Sequence, residues 1–341
     1  MSVALGHGGN LDAAAALFGE PVEGWVDLST GINPIGYPVF DVSSELWQHL
    51  PTKADCDAAI TAARARYGVP NSAGIMVAPG TQAILQWLPH LFEKSTIAVV
   101  SPTYGEHAYT WSEMGHDVIA VSTLASAVDD PSVRIAVICN PNNPDGRMAS
   151  PEEISTSAAV LSARDGLLIV DEAFCDVTPA ISVVSETGMQ GLLVLRSLGK
   201  MYGLAGARVG FAVAHHDLSE KLAEAMGPWS VSGPALRIAT TALCDSDWLD
   251  QARERLRQSR FRLDHALNAA NLRIKGGTDL FRLVESPDSD KLFRFLGESG
   301  IWVRKFIDQP EWLRFGIPGT TTEWQRLEKA FHLWFRHEAE S

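Results

Sequence analysis

The apolar run "LLVLRSL" (192–198) breaks into Ser197, a lone Lys200, a glycine-containing turn and Arg208, so that an amine and a guanidinium stand eight residues apart. Other apolar runs also end in polar groups: "PGTQ" (79–82), "SPTYGEH" (101–107), "NPNNPDG" (140–146) and "DEAF" (171–174). A lysine amine can form a Schiff base with a carbonyl. A glycine turn entering a helix offers unpaired N–H groups and a positive dipole end to a phosphate. Gly80, Thr81 and Gln82, with Ser197 and Arg208, could hold one. Asp171 could sit against a pyridinium nitrogen, Tyr104 could stack on a flat ring, and Asn143 lies in a proline-fixed turn rich in amides. Together these meet the needs of pyridoxal 5'-phosphate. Singly, each residue has an ordinary use: Asp171 as a turn cap, Lys200 as a solvated loop lysine, Arg208 in a surface pair, Asn143 as a turn stabiliser. Their succession at consecutive strand ends is what points to a site.

The elements that must position them are legible as alternating patterns. Strand-like runs at 97–102, 117–122, 134–141, 167–174, 192–198 and 208–214 are separated by helical stretches such as 80–92 and 150–164. The second opens with Ser150, Pro151 and Glu153, the pattern of a capping box with proline at the first helical position. Continuous apolar strands between helices predict an α/β fold, a mostly parallel sheet covered on both faces, whose ligands gather at the carboxyl ends of the strands. Residues 1–36 read as a loop-rich arm with a short helix near 11–18, and a helix is expected over 54–67. From about 246 a long amphipathic helix, three short strands and a final helix predict a smaller α+β lobe. The expected organisation is an arm (1–36) packing with the small domain, a large domain (37–230) and a small domain (231–341).

Composition narrows the function. The 341 residues carry a net charge of −13, which argues against nucleic acid as the main partner. The four cysteines form no CxxC pair; three lie in or beside apolar runs and read as buried small hydrophobes, as expected in a reducing cytoplasm. "MSVALGHGGNLD" has no basic start followed by an apolar stretch, so no signal peptide is expected, and no run approaches the length of a membrane span. No metal site is expected.

The order "PGTQ … PTY … NPNNPDG … DEAF … SLGK … GARVG … LRFG" resembles the aspartate-aminotransferase-like superfamily of pyridoxal-phosphate enzymes over nearly the whole chain. The resemblance implies a seven-stranded, mostly parallel sheet in the large domain and a homodimer. It implies that Lys200 forms the Schiff base, Arg208 holds the cofactor phosphate, Asp171 pairs with the ring nitrogen, Asn143 bonds the ring hydroxyl and Tyr104 stacks on the ring. Gly80, Thr81, Gln82 and Ser197 would complete the phosphate cup, and Arg314 would hold the substrate carboxylate. The beginning, "HGGNLDAAAALFG…GWVDLSTGINPIGYP", is similar to the threonine-phosphate decarboxylases of cobalamin biosynthesis. Two departures stand out: Phe174 replaces a tyrosine common in the superfamily, and the aromatic residue by which many relatives reach a neighbouring subunit's cofactor phosphate, near "LPT" (50–52), is absent.

The substrate of that family is a phosphorylated amino acid with two oxyanions, and arginine's fork suits both. Arg304, in "WVRKF", is assigned to the substrate phosphate beside Arg314 for the carboxylate. His7, Gly8, Gly9 and Asn10 would form a lid over the phosphate, and Asn33 would touch the carboxylate, with Asn143 also on the substrate side. Trp302 and Trp312 read as core. The rival readings are a histidinol-phosphate-type aminotransferase, which shares nearly every cofactor residue, and a decarboxylase of serine phosphate, which differs by one methyl group. A non-catalytic binding module of the same fold would be expected to carry a DNA-binding extension, and the sequence offers no basic patch for one.

Overall fold

The apolar runs become strands because their branched side chains fit a pleated surface buried on both faces. The computed structural model describes residues 8–39 and 41–340. Among these the strands are β1 (Val26–Leu28), β2 (Ala73–Ala78), β3 (Thr96–Val100), β4 (Asp117–Val121), β5 (Val133–Cys139), β6 (Leu167–Asp171), β7 (Leu192–Ser197), β8 (Gly210–His215), β9 (Arg273–Thr278), β10 (Phe281–Glu285), β11 (Ile301–Lys305) and β12 (Trp312–Gly316). They form two sheets in two compact units, one of residues 36–249 and one that joins the chain before 36 to the chain from 250 onward.

The larger unit holds a seven-stranded sheet in the order β2-β8-β7-β6-β5-β3-β4. β4, β3, β5, β6 and β7 are mutually parallel, while β8 lies antiparallel between β7 and β2. β8 is thus the one reversed strand. Its beginning, rather than its end, lies at the edge where the other strands finish, and Ser197 and Ala78 both register with Gly210. This explains why Arg208 precedes its strand while Asp171 and Lys200 end or follow theirs. β6 and β7 are buried along their whole length.

Local sequence decides the helix ends. The stretch expected as one helix over 80–92 is α-helical over Thr81–Trp87 and tightens to a 3₁₀ turn at Leu88–Leu91, where Pro89 removes a donor. Ser150 caps Pro151–Ser162 by accepting from the Glu153 N–H at 3.1 Å. The reciprocal capping box expected there occurs instead at Lys53–Tyr67, where Thr52 and Asp55 exchange bonds. The unit continues beyond the expected boundary at 230, because the helix Gly233–Cys244 packs on Lys53–Tyr67.

The smaller unit has a five-stranded sheet, β1-β11-β12-β10-β9, in which β1 pairs parallel with β11 and the other pairs are antiparallel. Helices Ser289–Glu298 and Thr321–Glu340 contribute Phe293, Leu296, Leu327 and Phe331 to its core. Trp302 is buried there, edge-on to Phe18 and Trp25. Trp312 is buried too, and its indole N–H donates to Glu285 at 3.2 Å. All four cysteines are free; Cys139 and Cys175 are buried as expected, but Cys56 is half-buried and Cys244, at a helix end, is exposed.

Candidate active site

Lys200 sits half-buried in a tight turn after β7, closed by the bond from the Leu204 N–H to the Leu198 carbonyl at 3.1 Å. Its Nζ lies 5.2 Å from the centre of the Phe174 ring, a cation–π contact at the position where a hydroxyl would have been expected. Asp171, at the buried end of β6, accepts from the Ala173 N–H on Oδ1 at 2.9 Å. Its Oδ2 lies 3.0 Å from His107 Nε2. Burial alone would raise the Asp171 carboxyl, but the hydrogen bond and charge of His107, the Ala173 N–H and the nearby Lys200 outweigh it and hold the group below its ordinary value.

His107 was given no role by the sequence. It is fully buried one helical turn after Tyr104, and the two rings meet edge-on at 5.8 Å. Burial would push its imidazole down, but the Cys139 thiol and the Asp171 carboxylate beside it lift it to about 10. Cys139 Sγ lies 3.3 Å from His107 Nε2 and 3.9 Å from Asp171 Oδ2. The available signal was the spacing in "TYGEH": residues three apart at a helix start share a face.

The residues expected to form the phosphate cup come from distant segments. The Tyr104 hydroxyl donates to Gln82 Oε1 at 3.1 Å, and Gln82 Nε2 donates to Glu106 at 2.7 Å. Burial first, then the charges of Glu106 and Asp171, push the Tyr104 phenol up to about 12. Gly80 has φ +83, and a Cβ there would stand 2.7 Å from Arg208 Nη2; a Cβ on Gly210 would strike the Thr81 nitrogen at 2.6 Å. Glycine therefore lets the 80–82 backbone and the Arg208 guanidinium approach one another. Arg208 adopts φ 52, rare for a side chain of its size. Ser197 Oγ accepts from the Gly199 N–H at 3.1 Å. Asn143 is half-buried in the turn after β5, which its neighbour Asn142 pins by accepting from Thr103 at 2.7 Å and donating to the Pro102 carbonyl at 3.0 Å.

Behind this edge lies a second feature absent from the sequence reading. Glu172, the residue after Asp171, is fully buried and accepts from Arg196 at 2.6 Å, Ser182 at 2.7 Å and the Val183 N–H at 2.7 Å. Arg196, the residue before Ser197, also binds Asp176 at 2.5 Å and stacks 4.3 Å over Tyr67. Side chains alternate across a strand, so this buried pair clasps the ends of β6 and β7 beside Asp171 and Ser197.

In the smaller unit, Arg304 on β11 and Arg314 on β12 are register partners, so their side chains share one face. Arg314 is buried and donates to the Ser29 carbonyl at 2.9 Å. Burial, then the like charge of Arg304, bring its guanidinium down to about 9, against the pull of Asp27. Ser29 Oγ accepts from the Gly9 N–H at 2.7 Å and donates to Asp27 at 2.6 Å. Gly8 packs so closely that a Cβ would stand 2.3 Å from the Ser29 carbonyl oxygen. Asn10 is occupied otherwise: its carboxamide caps Leu11–Phe18, accepting from the Ala13 N–H at 3.0 Å. Asn33 is buried and accepts from the Ile35 N–H at 3.0 Å. His7 lies outside the described residues.

The residues of the larger unit fit pyridoxal 5'-phosphate. The cradle at Gly80 would be filled by any Cβ, a guanidinium stands against it, and an ionised buried carboxylate lies near a lysine. Comparisons with known proteins agree. A family model for "aminotransferase class I and II" matches residues 54–330. A threonine-phosphate decarboxylase of Pseudomonas aeruginosa is 39% identical over 96% of this chain and 97% of its own. One from Sinorhizobium is 41% identical over 97% and 98%. The crystal structure of a histidinol-phosphate aminotransferase from Sinorhizobium meliloti, in complex with pyridoxal-5'-phosphate, aligns with a TM-score of 0.81 at 19% identity over 96% of this chain and 94% of that one. The chain belongs to the aminotransferase class I and II family.

Proposed function

We propose that the protein decarboxylates L-threonine O-3-phosphate with bound pyridoxal 5'-phosphate, giving (R)-1-amino-2-propanol O-phosphate for cobalamin biosynthesis. The observation that carries this reading is the registered pair Arg304 and Arg314. Two guanidiniums on one face suit a substrate with two oxyanions. Threonine phosphate carries a phosphate and a carboxylate; histidinol phosphate has no carboxylate. The identity of about two fifths to two full-length threonine-phosphate decarboxylases supports the same choice.

When bound, the cofactor supplies an electron sink for the substrate's Cα. The chain's own residues do the rest. Lys200 provides the amine that holds the cofactor's carbonyl carbon. Asp171 keeps a proton on the ring nitrogen, and His107 keeps Asp171 ionised. Tyr104 stacks on the ring and Asn143 donates to its hydroxyl; Phe174 cannot add a second donor. Gly80, Thr81, Gln82, Ser197 and Arg208 hold the cofactor phosphate. Arg314 takes the substrate carboxylate and Arg304 the substrate phosphate, with Asn33 and the Gly8–Gly9 backbone beside them. By fixing both ends of the substrate, Arg314 and Arg304 would set its orientation and so favour carbon dioxide loss over amine transfer. Among the described residues no helix is long and apolar enough to cross a membrane, and the enzyme is proposed to work as a cytoplasmic homodimer.

The test is product identity. Protein loaded with the cofactor is incubated with threonine phosphate and no keto acid, and carbon dioxide and aminopropanol phosphate are followed by mass spectrometry. Production that disappears in Lys200→Ala supports the reading. Amine transfer from histidinol phosphate to 2-oxoglutarate without carbon dioxide release overturns it.

A further inference from the structure

His107, Cys139 and Asp171 form a triad of three different metal-ligand types, at 0%, 4% and 7% exposure. Three elements bring it together: the helix after Tyr104, the end of β5 and the end of β6, where Cys139 and Asp171 are register partners. The ligand atoms stand 3.0, 3.3 and 3.9 Å apart. A triangle with those sides has a point roughly 2.0 Å from every corner, and zinc bonds run about 2.0–2.2 Å to imidazole nitrogen or carboxylate oxygen and about 2.3 Å to thiolate. An ion slightly out of that plane reaches all three atoms without backbone movement and keeps a fourth position for water.

We propose that this triad binds one zinc-class divalent cation in the cofactor-free protein, and that ion and cofactor exclude each other. Charge favours the occupant: a dication, a thiolate, a carboxylate and a neutral imidazole sum to zero, which a buried site tolerates. Softness favours it too, since a thiolate and an imidazole select zinc over magnesium or calcium. The thiol proton and the proton on His107 Nε2 leave to solvent as the two metal bonds form. The outer shell is half built. Asp171 Oδ1 is fixed by the Ala173 N–H, whereas His107 Nδ1 has no hydrogen-bond partner among the described residues. A missing partner of that kind costs about 10–100-fold in affinity, so the ion exchanges rather than being locked in. Exclusion of the cofactor rests on Asp171 serving the ring nitrogen as proposed above; the ion site rests on the triad alone.

The experiment uses cofactor-free full-length protein, with cobalt(II) as the spectroscopic probe and zinc as its competitor. One cobalt per chain is expected, with a thiolate-to-cobalt charge-transfer band and four-coordinate visible bands. Both should vanish on adding zinc and be absent in Cys139→Ala. Zinc at ten times its dissociation constant should slow cofactor loading, followed by the cofactor's own absorbance, roughly tenfold, and a chelator should restore it. Cys139→Ala, shown to be folded by loading the cofactor in the absence of metal, should load at the same rate with and without zinc. Absence of the charge-transfer band, or its persistence in Cys139→Ala, overturns the site. Unchanged loading of the zinc-bound wild type overturns the exclusion. Neither result depends on which substrate the loaded enzyme turns over.

Discussion

The two units treat buried charge in opposite ways. At the strand ends of the larger unit the charges are met from within: Asp171 by His107 at 3.0 Å, Glu172 and Asp176 by Arg196. In the smaller unit two like charges, Arg304 and Arg314, share one face of an antiparallel pair. A carboxylate with a fixed partner keeps its ionisation whatever occupies the site. Paired guanidiniums gain most when an anion arrives. The contrast suits a resident cofactor on one hand and a transient substrate on the other.

The largest effect should come from Lys200→Ala, with turnover falling by at least about four orders of magnitude because no other residue replaces the amine. Product assays under saturating cofactor check it. Next, Arg314→Ala should lower kcat/KM for threonine phosphate on the order of 10²–10³-fold, by loss of a buried charged contact, while leaving the cofactor's dissociation constant within about twofold. Equal losses in both would break the division of labour between the units.

His107→Asn should weaken cofactor binding about 10–100-fold, the worth of a hydrogen bond to a charged group. It should also change the pH dependence of stability. Because His107 is lifted to about 10, its contribution is complete below the ordinary histidine value near 6.5 and is lost as pH rises toward 10. The fall in Tm over that window should therefore flatten in His107→Asn. The smallest effect should come from Asn10→Ala, costing about 1 kcal/mol as a lost helix cap, with KM unchanged. A large KM effect would restore Asn10 to the substrate side, where the sequence had placed it. Gly8→Ala should raise KM first, since its Cβ would collide with the Ser29 carbonyl.

Legibility follows the same division. Parallel strands must end where their ligands gather, so Asp171, Tyr104 and Lys200 announced themselves as polar residues closing apolar runs. His107 and Cys139 did not, because a buried histidine and a cysteine ending an apolar strand look like packing until a third residue brings them together. Arg196 stood in the run "LLVLRSL", read as an apolar strand, and was given no role. In the smaller unit, β1 is three residues long and β9, "RIKGGT", has two glycines and buries only its last residue, so neither carries a strong apolar periodicity. The boundary was misplaced by about twenty residues, because the helix Gly233–Cys244 shows its apolar face in sequence but not which unit that face covers.

The pairing of β1 with β11, Val26 opposite Ile301, also orders the protein's birth. During synthesis, β1 leaves the ribosome long before its partner is made, whereas every strand of the larger sheet is complete by His215. The cofactor-binding unit can therefore close on the nascent chain while β1 waits, its edge unpaired and open to other strands. Slowing translation between residues 250 and 300 should lengthen that wait, and chaperone dependence should rise with it.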